Sequence, residues 1–153
     1  MTPELRARVA EYGASHRTPV NRLLHVLGIP LLGVGSLGLF CQLAVPVGAG
    51  VSALEPNAGQ VALLVALGWY LYFGGRSALL AFGFVVVCYV VGSVLSAWVL
   101  AGLWLAGAAA HFVGHFGFEG KPPATFRDPR SILEAPVWLL GLLTGTLPRE
   151  EVR

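Results

Sequence analysis

The sequence predicts an all-α integral membrane bundle of four transmembrane helices, followed by a short C-terminal helix that is interfacial or re-entrant. Three observations lead there. Hydrophobic residues make up 56% of the chain and charged residues 12%, about half the charge of an ordinary soluble domain. The few charges are segregated, because Leu23–Leu54, Pro56–Gly75 and Ser77–Phe118 hold no Asp, Glu, Lys or Arg. Each charge-free run is long enough for at least one span of roughly 20 residues.

The elements follow in order. The 153 residues suit one membrane domain. Residues 1–22 form a polar N-terminal segment carrying Glu4 and Glu11. They precede the first apolar run, which lacks a convincing cleavage site and so reads as a membrane helix and not a signal peptide. That helix is expected at roughly Leu24–Val47 and the second at Gly59–Phe73. The third run has 42 residues and would extend roughly 60 Å as one helix at 1.5 Å per residue. A bilayer core is about half that thick, so the run must turn back. A turn near Gly92-Ser93 gives helices at Ala78–Val91 and Val94–Phe116. The four spans thus occupy 24–116, a loop occupies 117–134, and the short apolar run 135–147, opened by Glu134 and Pro136, forms the last helix.

Charge orients the bundle. Arg6, Arg8, Arg17 and Arg22 lie before the first span, Arg76 between the second and third, and Lys121, Arg127 and Arg130 after the fourth. The remaining two loops hold only Glu55. The positive-inside rule places the N-terminus and the 117–134 loop on the cytoplasmic side. Rich Gly, Ala and Arg content suggests a GC-rich bacterial genome, so the expected location is a bacterial inner membrane. A net charge of +2 without a basic patch sets nucleic acid aside. Cys41 and Cys88 lie in apolar runs and behave as small hydrophobes, with no disulfide implied. The small residues from Gly102 to Gly107, with Ala108, Ala109 and Ala110, offer a face for close packing, within the bundle or in a homo-oligomer.

Four crossings have a consequence for the histidines. His16 and His25 flank the start of the first span, and His111 and His115 end the fourth. An even number of crossings brings both pairs to one face; an odd number would hold them roughly 30 Å apart. Thr18-Pro19 reads as an N-cap with proline at the first helical position, leaving His16 outside the helix and able to fold back. Asn21 and His25, His111 and His115, and His115 and Glu119 are each four apart, and so share helix faces. Paired imidazoles at that spacing are a familiar metal-binding arrangement, and imidazole suits zinc, copper, iron or nickel.

Two motifs carry a resemblance. His16 to Pro30 has the form H-x4-N-x3-H-x4-P, and Gly114 to Ala124 has the form G-H-x3-E-x3-P-A, with Ala135-Pro136 following. Over roughly residues 10–143 the chain resembles the Mpo1-like family, whose fungal member is an iron(II)-dependent dioxygenase that shortens 2-hydroxy fatty acids by one carbon. The resemblance implies Fe(2+) as cofactor, a 2-hydroxy fatty acid and dioxygen as substrates, and membrane lipids as surroundings. It implies His16, His25 and His115 as metal ligands, with His111 as a fourth where glutamine often stands in the family. Three histidines leave three of six iron positions for a chelating substrate and dioxygen; four leave two.

Other residues take roles by chemistry. Glu119 is a candidate acceptor holding the His115 ring, or a ligand itself. Arg22 and Lys121 are candidates to meet the substrate carboxylate. Asn21 is expected to orient a ligand or cap the helix, and Tyr12 to line the site or anchor at the interface. A metal transporter would place polar ligands near the bilayer midplane, and the four apolar segments hold no Asp, Glu or Lys. Four histidines are too few for a multi-histidine di-iron enzyme. A metal-binding or structural membrane protein without catalysis stays open as the alternative.

Overall fold

The computed structural model describes residues 1–45 and 56–147. Six α-helices account for most of them: α1 (Pro3–Gly13), α2 (Pro19–Cys41), α3 (Ala58–Phe73), α4 (Gly75–Ser93), α5 (Ala97–Phe112) and α6 (Ser131–Thr144). A π-helical segment, Val113–Glu119, continues α5, and a 3-10 turn, Ala124–Phe126, separates it from α6. No named strand occurs among the described residues; Ala44 and Asn57 make one isolated antiparallel bridge. The expected tail of the first span, Pro46 and Val47, lies outside the described residues, as does Glu55.

Local chemistry explains the helix starts. The Thr18 hydroxyl accepts from the Asn21 N–H at 3.3 Å, with Pro19 opening α2. Thr2 and Pro3 start α1 in the same way, with Thr2 accepting from Leu5 N–H at 3.4 Å. Asn57 and Gln60 form a reciprocal capping box at α3. Between α3 and α4 the reversal takes almost no chain, because Gly74 and Gly75 adopt φ of 62° and 81°, values that residues with a Cβ rarely reach.

The all-helical class and the positions of α2 to α5 agree with the sequence expectation. Among the described residues three helices are long and apolar enough to cross a membrane: Pro19–Cys41, Gly75–Ser93 and Ala97–Glu119, the last being α5 with its π segment. The fourth expected span, α3, has 16 residues, or roughly 24 Å at 1.5 Å per residue, shorter than a full crossing. Large apolar side chains cover the outside of the bundle; Leu64 is 68% exposed and Trp98 88%. A surface of that kind fits lipid and not water.

The interior is drawn tight by glycine. At Gly38 an added Cβ would lie 2.9 Å from the Cα of Gly92, and at Gly35 it would lie 2.8 Å from the Trp104 backbone nitrogen. So α2 runs in near backbone contact with both α4 and α5. The small-residue face expected on α5 divides. Gly107 packs against Leu32, whereas Gly102 faces open space. Both cysteines are free, as expected.

Two regions differ from expectation. The N-terminal segment contains a helix, α1, whose Leu5, Val9 and Tyr12 are buried in the core. The last helix begins at Ser131 and not at 135, and Glu134 to Leu139 are all buried. It packs in protein against α1 and α4, and the Tyr70 hydroxyl of α3 donates to its Leu133 carbonyl at 2.9 Å.

Candidate metal centre

The site forms where α1, the start of α2, the π segment and α6 meet. After α1 ends at Gly13, the chain turns and the His16 N–H closes on the Gly13 carbonyl at 2.9 Å. This turn swings the His16 ring inward, where it is fully buried. Its Nδ1 donates to the Tyr12 carbonyl at 2.7 Å, and the ring stacks on Tyr12 with centroids 4.4 Å apart. The Trp138 ring lies 4.9 Å away. Burial pushes the His16 pKa down to about 3, although the bond to Tyr12 pulls the other way. The ring is therefore neutral at physiological pH, the form in which an imidazole can ligate.

Nearly two turns into α2, His25 Nδ1 donates to the Asn21 carbonyl at 2.9 Å. A carbonyl only accepts, so His16 and His25 both carry their proton on Nδ1. Their lone pairs are left on Nε2. His115 enters from the π segment, and the His16–His25, His16–His115 and His25–His115 centroids lie 4.2, 4.9 and 4.9 Å apart. One potential ligand atom from each ring lies within 4.8 Å of the others. His16 Nε2, His25 Nε2 and His115 Nδ1 are all buried without a hydrogen-bond partner. Leaving one buried polar atom unpaired costs about 1–3 kcal/mol. Three such atoms on three neighbouring rings fit a bound divalent transition metal.

The fourth histidine stands beside this group. His111 lies 4.1 Å from His25 by ring centroids, and its Nδ1 donates to the Gly107 carbonyl at 3.0 Å. It fits over Gly28, where an added Cβ would come within 2.8 Å of that Nδ1. The structure thus gathers all four histidines, and the three-ring group consists of His16, His25 and His115.

Glu119 is placed differently from the spacing argument. From Val113 to Glu119 the chain winds with i→i+5 bonds, so Glu119 is not one α-turn beyond His115. Its Oε1 accepts from the Thr18 N–H at 2.7 Å, the Thr18 hydroxyl at 3.0 Å and Asn21 Nδ2 at 3.1 Å. The carboxylate staples the end of the π segment onto the N-terminus of α2, where the helix dipole favours negative charge. Among the described residues its hydrogen bonds come from Thr18, Asn21 and the Arg17 backbone, with no imidazole among these donors. Asn21 is fully buried and joins the staple to His25 through its own carbonyl. Gly114 is required here, since a Cβ would collide with Asn21 Oδ1.

The cations are less central. Arg22 Nε donates to the His16 carbonyl at 2.8 Å, behind the ring. Lys121 is exposed; its backbone N–H closes the π segment by donating to the His115 carbonyl at 3.2 Å. Sequence reasoning missed Trp138, which covers His16, and the Arg8–Glu134 pair at 3.4 Å that ties α1 to α6. Burial pushes the Glu134 carboxyl up, and Arg8 partly offsets it. Only the run Leu5, Val9, Tyr12, a one-sided helical stripe, signalled that α1 would pack here.

A family model described as 2-hydroxy-palmitic acid dioxygenase Mpo1-like matches residues 3–147. No curated protein and no solved structure gives a significant match. The matched stretch starts with α1 and ends just beyond α6, so it takes in all four histidines, the Glu119 staple and the helices that close over them. With nearly its whole described length accounted for in this way, the chain belongs to the Mpo1-like family.

Proposed function

We propose that this protein is a multi-pass membrane dioxygenase, dependent on iron(II), that shortens 2-hydroxy fatty acids by one carbon. The observation that carries the reading is the convergence of three buried, unpartnered histidine nitrogens in a chain of the Mpo1-like family. The atoms balance with one dioxygen per substrate. The bond between carboxyl and carbinol carbons breaks, the carbinol carbon is oxidised to a new carboxyl, and dioxygen is reduced. The products are the shorter acid, carbon dioxide and water.

Iron held by His16, His25 and His115 would supply the one-electron chemistry that lets dioxygen react with a closed-shell hydroxy acid. The chain's own groups do the rest. The Tyr12 and Asn21 carbonyls hold the protons of His16 and His25 on Nδ1, aiming both Nε2 atoms inward. Tyr12 and Trp138 wall His16 from water. Glu119 acts as a positioning residue that keeps the two helix ends in register. Arg22 and Lys121 bring positive charge to the same end and are the proposed partners of the substrate carboxylate. In this reading α3 is the fourth crossing, and the bilayer thins locally to match it. The histidines then face the cytoplasm, with the arginine-rich N-terminus on the same side.

The test uses untagged protein purified without oxygen. Metal content is measured first, and then conversion of 2-hydroxypalmitate to the acid one carbon shorter. About one iron per chain is expected, with product formed only when iron is present. Turnover in metal-stripped protein, or a chain that takes up no iron, would overturn the assignment.

A further inference from the structure

The loop after the metal centre looks polar in sequence, running Gly120-Lys-Pro-Pro-Ala-Thr-Phe126-Arg127-Asp128. Its path is not that of a solvent loop. Gly120 adopts a left-handed φ of 63°, and Lys121 N–H closes back on the His115 carbonyl. The chain then returns along α5, because the Phe126 ring lies 6.3 Å from that of Phe112, which ends α5 ahead of the whole π segment. Phe112 in turn stacks on Phe116 at 6.1 Å. The three rings are 64%, 45% and 54% exposed, so they form an open aromatic patch.

We infer that residues 120–127 are a membrane-seated turn, with Phe126 inserted at the headgroup–acyl boundary beside the metal centre. Four observations support a lipid occupant. The patch is continuous with the exposed apolar surface of α5, itself long and apolar enough to cross a membrane. The turn pairs part of its own backbone, which lowers the cost of an apolar setting: Phe126 N–H donates to Pro123 and the N–H groups of Arg127 and Asp128 to Ala124, at 3.0–3.1 Å. The turn is also anchored, since Pro123 is buried and Ala124 packs on the core, so Phe126 is held outward. Finally, exposed Lys121 and Arg127 flank it, while the one acid, Asp128, is paired with Arg130 at 2.8 Å. A net positive rim suits the phosphates of anionic lipid. This inference stands on geometry independent of the catalytic assignment.

Spin labelling tests it in phosphatidylcholine vesicles containing phosphatidylglycerol. In a Cys41→Ala, Cys88→Ala background, a nitroxide is placed at Phe126→Cys, with Phe112→Cys as the lipid control and Glu11→Cys as the water control. The label at 126 is expected to collide with oxygen and be shielded from a water-soluble nickel complex, as at 112. Nickel access equal to that at 11 would overturn the inference. So would dipolar broadening between labels, which would show a second copy covering the patch. Hydroxyl-radical footprinting of the wild type needs no substitution. Phe126 should be spared in vesicles, and oxidation at the rate of the unfolded chain would overturn the inference equally.

Discussion

The contact of α2 with α5 is built in two ways along its length. In the middle it is made of missing side chains: Gly35 sits against the Trp104 backbone and Gly107 against Leu32. At the end it is made of polar groups: Glu119 on Thr18 and Asn21, and His25 beside His111 and His115. The difference separates two jobs. In lipid there is no hydrophobic drive between helices, so close packing supplies the adhesion. Polar groups there are costly, and they are concentrated where the chain gains a site from them. The middle should therefore govern stability and the end should govern metal.

The largest effect expected is from removing a ligand. His25→Ala and His115→Ala should each lower bound iron to about a tenth or less of wild type and abolish turnover, since losing a ligand exceeds the 10–100-fold effect of a supporting group. Elemental analysis of the purified variants measures it, and wild-type iron in either variant would sink the three-histidine site.

Next comes a pair of glycine substitutions that set the two regions against each other. Gly35→Ala would drive a Cβ to 2.8 Å from the Trp104 backbone nitrogen, where neither helix can yield cheaply. Overpacking of that kind costs about 1–3 kcal/mol, so thermal unfolding should fall while the folded fraction still binds iron. Gly114→Ala would instead displace Asn21 and, through it, His25. Iron affinity should drop about 10–100-fold with a smaller change in unfolding. If both variants lost stability and metal in proportion, the two regions would be one.

How much of this was legible in the sequence depended on periodicity and charge. The apolar runs located α2 to α5 because lipid excludes charge, and Thr18-Pro19 marked the start of α2 because capping is local. The meeting of the four histidines followed from counting crossings. The i, i+4 spacing points Glu119 toward His115, whereas it accepts hydrogen bonds from Thr18 and Asn21, donors that only the folding of α2 against the π segment brings near. Trp138 was invisible, since nothing local ties it to His16 across more than a hundred residues. The last helix seemed short and marginal because Glu134 sits near its start; the pairing of Glu134 with Arg8 lets it be buried.

Glu119 offers a finer cut within the polar end. Glu119→Ala removes three hydrogen bonds to the start of α2, and about a 10-fold loss of iron affinity is expected, at the low end for a supporting group. Glu119→Gln keeps an oxygen that accepts from Thr18 and Asn21, so it should recover most of that loss. A ligand role predicts the opposite, because an amide is a poor substitute for a metal-bound carboxylate. If the Gln variant is as impaired as the Ala variant, the staple is the wrong description.

The smallest effect is expected at His111, and it tests where the polar end stops. His111 lies beside His25, yet its Nδ1 is committed to the Gly107 carbonyl, and the group of three forms without it. His111→Gln preserves a polar side chain of similar reach over Gly28 and avoids opening a hole there. Iron should stay near one per chain, with affinity changed by less than about 10-fold. Turnover should change more than metal content if His111 faces the substrate. The ligand field of the iron gives a readout that a packing role would not move. An unchanged electron paramagnetic resonance spectrum of the nitric oxide adduct keeps His111 outside the coordination sphere. A shifted spectrum with weakened iron would add it as a fourth ligand and move the boundary between the two regions one turn into α5.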